Sequence, residues 1–189
     1  MNENRNFYQS IGLLALTTGI LLMIPLIAMQ FTKEVVWTLS DFVIAGTLLF
    51  GTGLTYKLIT RKSNKPTYSI AVGFALFTGL FLIWVNIAVG IIGSEDNPIN
   101  LLYFGVIFVG IIGAFMARFQ SKGMTLAMYA MAIAQALIAT IALIGGFYQS
   151  PPSTAFHIIA VNGFFITLFV VSALLFRYTA HRNFAIFEK

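Results

Sequence analysis

The sequence predicts an all-α polytopic membrane protein: six transmembrane helices forming a bundle in a single transmembrane domain over residues 1–189. Three observations predict it. Hydrophobic residues make up 59% of the 189 and charged residues 9%, whereas soluble domains carry about 25% charge, so there is too little charge to cover a water-facing surface. The apolar stock, about 112 residues, suits five or six spans of about 20 residues each. The charges fall between long uncharged runs, and no segment shows the alternating polarity of a transmembrane β-strand.

The elements follow from those runs. Residues 6–32 carry no charge, and the first helix is expected over 11–31. Its apolar run exceeds the usual 7–15 residues of a signal peptide, and Met29-Gln30-Phe31 offers no small-residue cleavage site, so it reads as a retained anchor. The second helix is expected over 38–59, with Asp41 near one end and Lys57 near the other. Residues 66–94 are uncharged and predict a third helix over 68–92. Residues 97–117 predict a fourth over 98–117. Residues 123–176 form an uncharged run of 54, broken by Tyr148-Gln149-Ser150-Pro151-Pro152-Ser153, because proline ends helices. A fifth helix over 124–146 and a sixth over 156–177 result.

Lysine and arginine favour the cytoplasmic side of a membrane. With both termini cytoplasmic, ten of the eleven basic residues lie there: Arg5, Lys57, Arg61, Lys62, Lys65, Arg118, Lys122, Arg177, Arg182 and Lys189. Lys33 alone falls outside, with Glu34, Asp41, Glu95 and Asp96, while Glu3 and Glu188 lie inside. Aromatic anchors are expected at both interfaces: Trp37, Tyr103 and Tyr148 at the outer face, and Tyr8, Tyr56, Tyr68 and Tyr178 at the inner one. An offset of 59 residues pairs Thr38 with Asn97, Asp41 with Asn100, Gly46 with Gly105 and Gly51 with Gly110. Two readings stay open: helices 2–3 and 4–5 are a duplicated hairpin, or glycine-rich helices coincide.

Candidate chemistry gathers at one outer turn, Gly93-Ser94-Glu95-Asp96-Asn97-Pro98-Ile99-Asn100. With Asp41, Asn86 and His157 it reads as an outward-facing polar site for a cation, a proton or a small molecule. A structural reading stands beside it. Asn97 is a good N-cap and Pro98 a favoured first helical residue. Glu95 and Asp96 suit the positive end of the helix 4 dipole, and Thr38 with Asp41 has capping-box spacing. Asn86, Gln135 and Asn162 are amides inside spans and must find partners, either neighbouring helices or a substrate. His157 falls in the first turn of helix 6, where the dipole favours a neutral imidazole. His181 belongs to a basic tail.

Met124, Met128, Met131 and Gln135 share one face of helix 5, as core or as an adaptable pocket. Gly110/Ala114, Gly113/Ala117 and the run Ala130, Ala132, Ala134, Ala136 give small-xxx-small spacing, which lets helices approach closely within the chain or between chains.

Many reaction classes are excluded. The chain has no cysteine, which removes thiolate catalysis, cysteine-ligated metals and disulfides. It has no H-E-x-x-H motif and no P-loop. Gly-x-Ser-Gly and a deep aspartate pair are also missing, and the two histidines fall on opposite sides of the membrane. No catalytic residue, cofactor, metal site or nucleic-acid partner is expected. The expected partners are membrane lipids and, through the small-residue faces, a second copy or another membrane protein.

Two stretches carry a resemblance. One runs from Trp37 through Asp41, Gly51 and Gly53 to Tyr56. The other is Trp84-Val-Asn86-Ile-Ala-Val-Gly90-Ile-Ile-Gly93-Ser-Glu95-Asp96-Asn97-Pro98-Ile-Asn100, followed by Ala117-Arg118-Phe119 and Ala134-Gln135-Ala136-Leu137. Over roughly residues 37–145 the combination resembles a set of small uncharacterised bacterial inner-membrane proteins. The resemblance implies a bacterial inner membrane and no particular activity. Lys57 stands where such proteins often carry an acidic residue after the tyrosine, so no ion pair is expected there. Three functions remain in view: an accessory or assembly component of the inner membrane, a transport or small-molecule-binding module, and an interfacial lipid-modifying enzyme.

Overall fold

A computed structural model describes the backbone at residues 2–61, 63, 65–149 and 153–184, and side chains from Tyr8 to His181 within those ranges. Lys62, Ser150, Pro151, Pro152, Glu188 and Lys189 lie outside the described residues, as do the side chains of Glu3, Arg5 and Arg182. The described chain is helical and holds no strand. Its helices are α1 (Asn2–Phe31), α2 (Leu39–Thr60), α3 (Pro66–Ala88), α4 (Leu102–Met116), α5 (Ser121–Ile144) and α6 (Ala155–Phe184). A 3-10 turn, Pro98–Leu101, leads into α4. All six are long and apolar enough to cross a membrane, α4 when that turn is included. The protein is a multi-pass membrane protein, and its chain falls into two compact units, Met1–Arg61 and Lys62–Lys189.

The first unit pairs α1 with α2. α1 begins nine residues before its expected start, because nothing in residues 2–10 breaks a helix. A Cβ on Gly53 would meet the Leu14 side chain, which lies over the bare glycine. α2 begins at a capping box. Thr38 is its N-cap: Asp41 N–H donates to Thr38 Oγ1 at 3.4 Å, and Thr38 N–H donates to Asp41 Oδ2 at 2.7 Å. Trp37 precedes the cap and meets Phe42 edge to face, ring centroids 5.2 Å apart. These are the positions of a hydrophobic staple, which fixes how the chain enters a helix.

In the second unit α5 packs against both α4 and α6, and α3 packs against α6 and also touches α4. The helix 5 stripe is core: Met124, Met128, Met131, Gln135, Ile138 and Ala142 are all buried, at the spacing of one helix face. Phe165, Phe169 and Phe176 of α6, and Val72 and Leu82 of α3, are likewise buried with almost no exposure. The small residues of α4 serve this packing. A Cβ on Gly110 would lie 2.5 Å from Met131 Sδ, and one on Gly113 would lie 2.7 Å from Ala127 Cβ. That face of α4 is therefore occupied within the chain.

The α4–α5 connection is a Schellman motif. Phe119 N–H bonds Ala114 O and Arg118 N–H bonds Phe115 O. Arg118 takes the left-handed position (φ 47°) that glycine usually fills, and Phe119 follows it there (φ 57°). The Tyr68 hydroxyl at the start of α3 donates to Phe119 O, and the Tyr68 ring packs edge-on against Phe176. Tyr68 is 8% exposed and Tyr103 1%, so neither is the interfacial anchor expected of it. Their hydroxyls bond inside the unit. Tyr8, Tyr56, Tyr148 and Tyr178 are exposed.

Candidate functional site

The stretch that holds most of the expected polar residues is a loop closed on itself. α3 ends at Ala88, four residues short of its expected end. Gly90 N–H reaches back to Val85 O at 3.1 Å, and Gly90 (φ +76°) and Gly93 (φ +71°) turn the chain twice through left-handed backbone. A Cβ on Gly90 would stand 2.6 Å from the Ser94 carbonyl, and one on Gly93 would stand 2.8 Å from Asn97 Nδ2. Ile91 and Ile92, between the two turns, are wholly buried.

Backbone amides buried in this way need acceptors, and Asn100 supplies them. Its Oδ1 accepts from Ile91 N–H at 3.2 Å and Ile92 N–H at 3.0 Å. Its Nδ2 donates to Ile92 O at 3.1 Å and Ser94 O at 2.8 Å. All four hydrogen-bonding capacities of a carboxamide are thus used. Asn86, from the last turn of α3, donates its Nδ2 to Asn100 O at 3.1 Å. Gly93 N–H donates to Ser153 Oγ at 2.7 Å, which ties the loop to the segment before α6. Asn97 behaves as the expected N-cap, accepting from Ile99 N–H at 3.2 Å with Pro98 at the first position. The helix it caps opens as a 3-10 turn, so α4 proper starts at Leu102.

A second buried polar group lies on α4, α5 and α6. Tyr103 OH and Gln135 Nε2 both donate to Asn162 Oδ1 at 3.0 Å. Asn162 Nδ2 donates to Ile158 O at 2.8 Å. A backbone carbonyl only accepts, so the Asn162 amino group must face Ile158 and its oxygen must face Tyr103 and Gln135. Gln135 consequently presents Nε2 to Asn162 and turns its Oε1 elsewhere. The same logic orients Asn86, whose amino group faces a carbonyl. The two oxygens left over, Asn86 Oδ1 and Gln135 Oε1, are buried acceptors without a donor among the described residues. Leaving such a group unpaired costs about 1–3 kcal/mol.

Each residue of the expected outer site has its own place. Asn86, Asn97 and Asn100 meet in the loop. Glu95 and Asp96 ride on it with their side chains exposed. The His157 side chain is exposed in the first turn of α6, where the residue's backbone N–H donates to Thr154 Oγ1 at 3.1 Å. Asp41 belongs to the first unit and to its cap with Thr38. Among the described residues no three His, Cys, Asp or Glu side chains are grouped to hold a metal ion. The buried set offers hydrogen bonding by neutral groups: the four carboxamides of Asn86, Asn100, Gln135 and Asn162, the Tyr103 phenol and the Ser153 hydroxyl. Asn86, Gln135 and Asn162 each bond another part of unit 2. Sequence reasoning missed Ser153 and the buried role of Tyr103. Their partners lie 60 and 59 residues away, and no local signal marks them.

No protein-family model, curated protein or solved structure matches the chain.

Proposed function

We propose that this chain is an accessory or assembly component of a bacterial cytoplasmic membrane, with both termini cytoplasmic, acting by holding against another membrane protein or a second copy of itself. One observation carries the reading: the loop with the richest polar chemistry uses its buried amides on its own backbone, with Asn100 saturated by Ile91, Ile92 and Ser94. Such a loop is a closure between helices and leaves the helix faces as the working surface. The distribution of lysine and arginine supports the orientation, and the resemblance of residues 37–145 to small bacterial inner-membrane proteins supports the compartment.

With Gly110 and Gly113 of α4 packed inside the chain, α5 offers the small-residue face. Leu126, Ala130, Ile133, Leu137 and Ile141 form an exposed stripe along it, and the small Ala130 at its middle admits a neighbouring helix closely. The chain has no cysteine, so a single introduced one reports contact cleanly. Ala130→Cys and Ile133→Cys, cross-linked in native membranes, are expected to give one discrete protein product, either a homodimer or a fixed heteropartner. Absence of any such product, together with a lone monomer in native-lipid particles, overturns the proposal.

A further inference from the structure

Gln135 is wholly buried, at the fifteenth position of the 24-residue α5. Its side chain is fixed by the chain Ile158 O, Asn162, Gln135, each link of which has only one permissible orientation. Its Oε1 has no donor among the described residues. Met131, Ile138 and Ala139, one turn away on the same helix, are buried and apolar, so they bring no proton. The single Tyr103 proton goes to Asn162. An acceptor in this position, inside a membrane span, calls for a donor from outside the chain.

We infer that Gln135 Oε1 is a binding point for a neutral O–H donor held inside the second unit. The donor is neutral because Glu95 and Asp96, the acidic side chains of that unit within the described residues, are exposed on the loop, and an ammonium at Gln135 would be a buried charge with no counter-charge. A hydroxyl meets the need of this one acceptor with a single proton and no charge. Two sources share this chemistry: water, and a lipid hydroxyl. The inference does not depend on the docking role proposed above. Asn86 Oδ1 has the same character nearer the end of α3, and its occupancy is a separate question.

The test is made on the full chain in vesicles of phosphatidylethanolamine and phosphatidylglycerol, with glutamine carbons isotopically labelled. Solid-state magnetic resonance reads which protons transfer magnetisation to the Gln135 side-chain carbonyl. Gln135→Leu identifies the resonance by its loss, and sequential assignment of the unsubstituted protein serves if that variant does not fold. Transfer from water protons, retained in perdeuterated lipid, establishes water as the donor. Transfer from non-exchangeable lipid protons, lost in perdeuterated lipid, establishes a lipid hydroxyl. Either result supports the inference. Transfer from the Tyr103 hydroxyl alone, or a carbonyl resonance at the position of an unbonded amide with no neighbouring proton, overturns it.

Discussion

Asn100 and Ile92 exchange two hydrogen bonds: the N–H of Ile92 donates to Asn100 Oδ1 at 3.0 Å, and Asn100 Nδ2 donates to Ile92 O at 3.1 Å. The pairing lets a carboxamide stand in for a neighbouring backbone strand. It allows Ile91 and Ile92 to be buried at a helix end without orphaned amides.

Asn100→Ala removes every one of these partners and leaves up to four backbone groups unpaired. At about 1–3 kcal/mol for a buried unpaired group, with partial relaxation, the loss of stability is expected at about 3 kcal/mol. Asn100→Asp is expected to do no better. It keeps the acceptor but turns a carboxylate oxygen toward Ile92 O and Ser94 O, where Nδ2 now donates. Denaturant unfolding of the purified protein in detergent checks both, and an Asn100→Ala variant as stable as the parent contradicts the role assigned here.

Ser153 acts from the other side of the same loop. Ser153→Ala deletes the acceptor of a buried N–H at Gly93 and is expected to cost about 1–2 kcal/mol. Gly93→Ala combines left-handed backbone with a Cβ 2.8 Å from Asn97 Nδ2, and at about 1–2 kcal/mol for the backbone alone it is expected to cost at least as much. Because both changes act on one contact, the double variant is expected to lose less than the two single losses added together. Full additivity in thermal unfolding indicates that the loop and the segment before α6 are uncoupled.

How much of this was legible in the sequence depends on distance along the chain. Thr38 with Asp41, and Asn97 with Pro98, are caps whose partners lie within three residues, so residue type and spacing suffice. The shared face of Met124, Met128, Met131 and Gln135 is legible because helical periodicity repeats within one element, and the structure extends it to Ile138 and Ala142. The sequence predicts α3 too long because Gly90-Ile91-Ile92 is as apolar as the helix before it, and only the left-handed φ of Gly90 and Gly93 ends it. It predicts Tyr68 and Tyr103 at interfaces because a tyrosine near a helix end looks the same whether its hydroxyl meets headgroups or the protein interior. The deciding partners, Phe119 O and Asn162, come from other helices. Asn100 was singled out for polarity beside a membrane span, and its real work is local closure.

The cap of α2 gives a prediction confined to the first unit. Thr38→Ala removes the acceptor for Asp41 N–H, and Asp41→Ala removes the acceptor for Thr38 N–H. Each is expected to speed amide hydrogen exchange at residues 39–42 by roughly five-fold. The pair acts as one device, so the double variant is expected to exchange little faster than either single one. Mass spectrometry with site-resolved fragmentation reads this directly, and unchanged exchange in Asp41→Ala shows that the reciprocal bond is idle.

Arg118 holds a left-handed position with a full side chain, at a steric cost of about 1–2 kcal/mol. Arg118→Gly relieves that cost while adding freedom to the unfolded chain, about 0.5–1 kcal/mol against it. The expected outcome is a variant as stable as the parent or slightly more stable. Arg118→Val adds β-branching where φ is 47° and is expected to lose more than about 1 kcal/mol. Unfolding in one detergent series separates the two, and equal losses in both variants mean that the guanidinium, and not the backbone, matters at this turn.

Glu95 and Asp96 separate the two uses of the outer turn. If the loop is a closure, its exposed carboxylates carry neither the fold nor the docking of α5. Glu95→Gln with Asp96→Asn is then expected to shift thermal unfolding by no more than about 2 °C, the ordinary result for surface positions. The cross-linked product from Ala130→Cys is expected to stay intact in that background. A binding module with its mouth at this turn behaves differently, because neutralising the only acidic side chains described in the second unit alters the field at its entrance. Loss of the cross-link with the fold retained therefore places the working surface at the loop and not along α5, since a stripe of Leu126, Ala130, Ile133, Leu137 and Ile141 has no charge through which Glu95 or Asp96 could act on it.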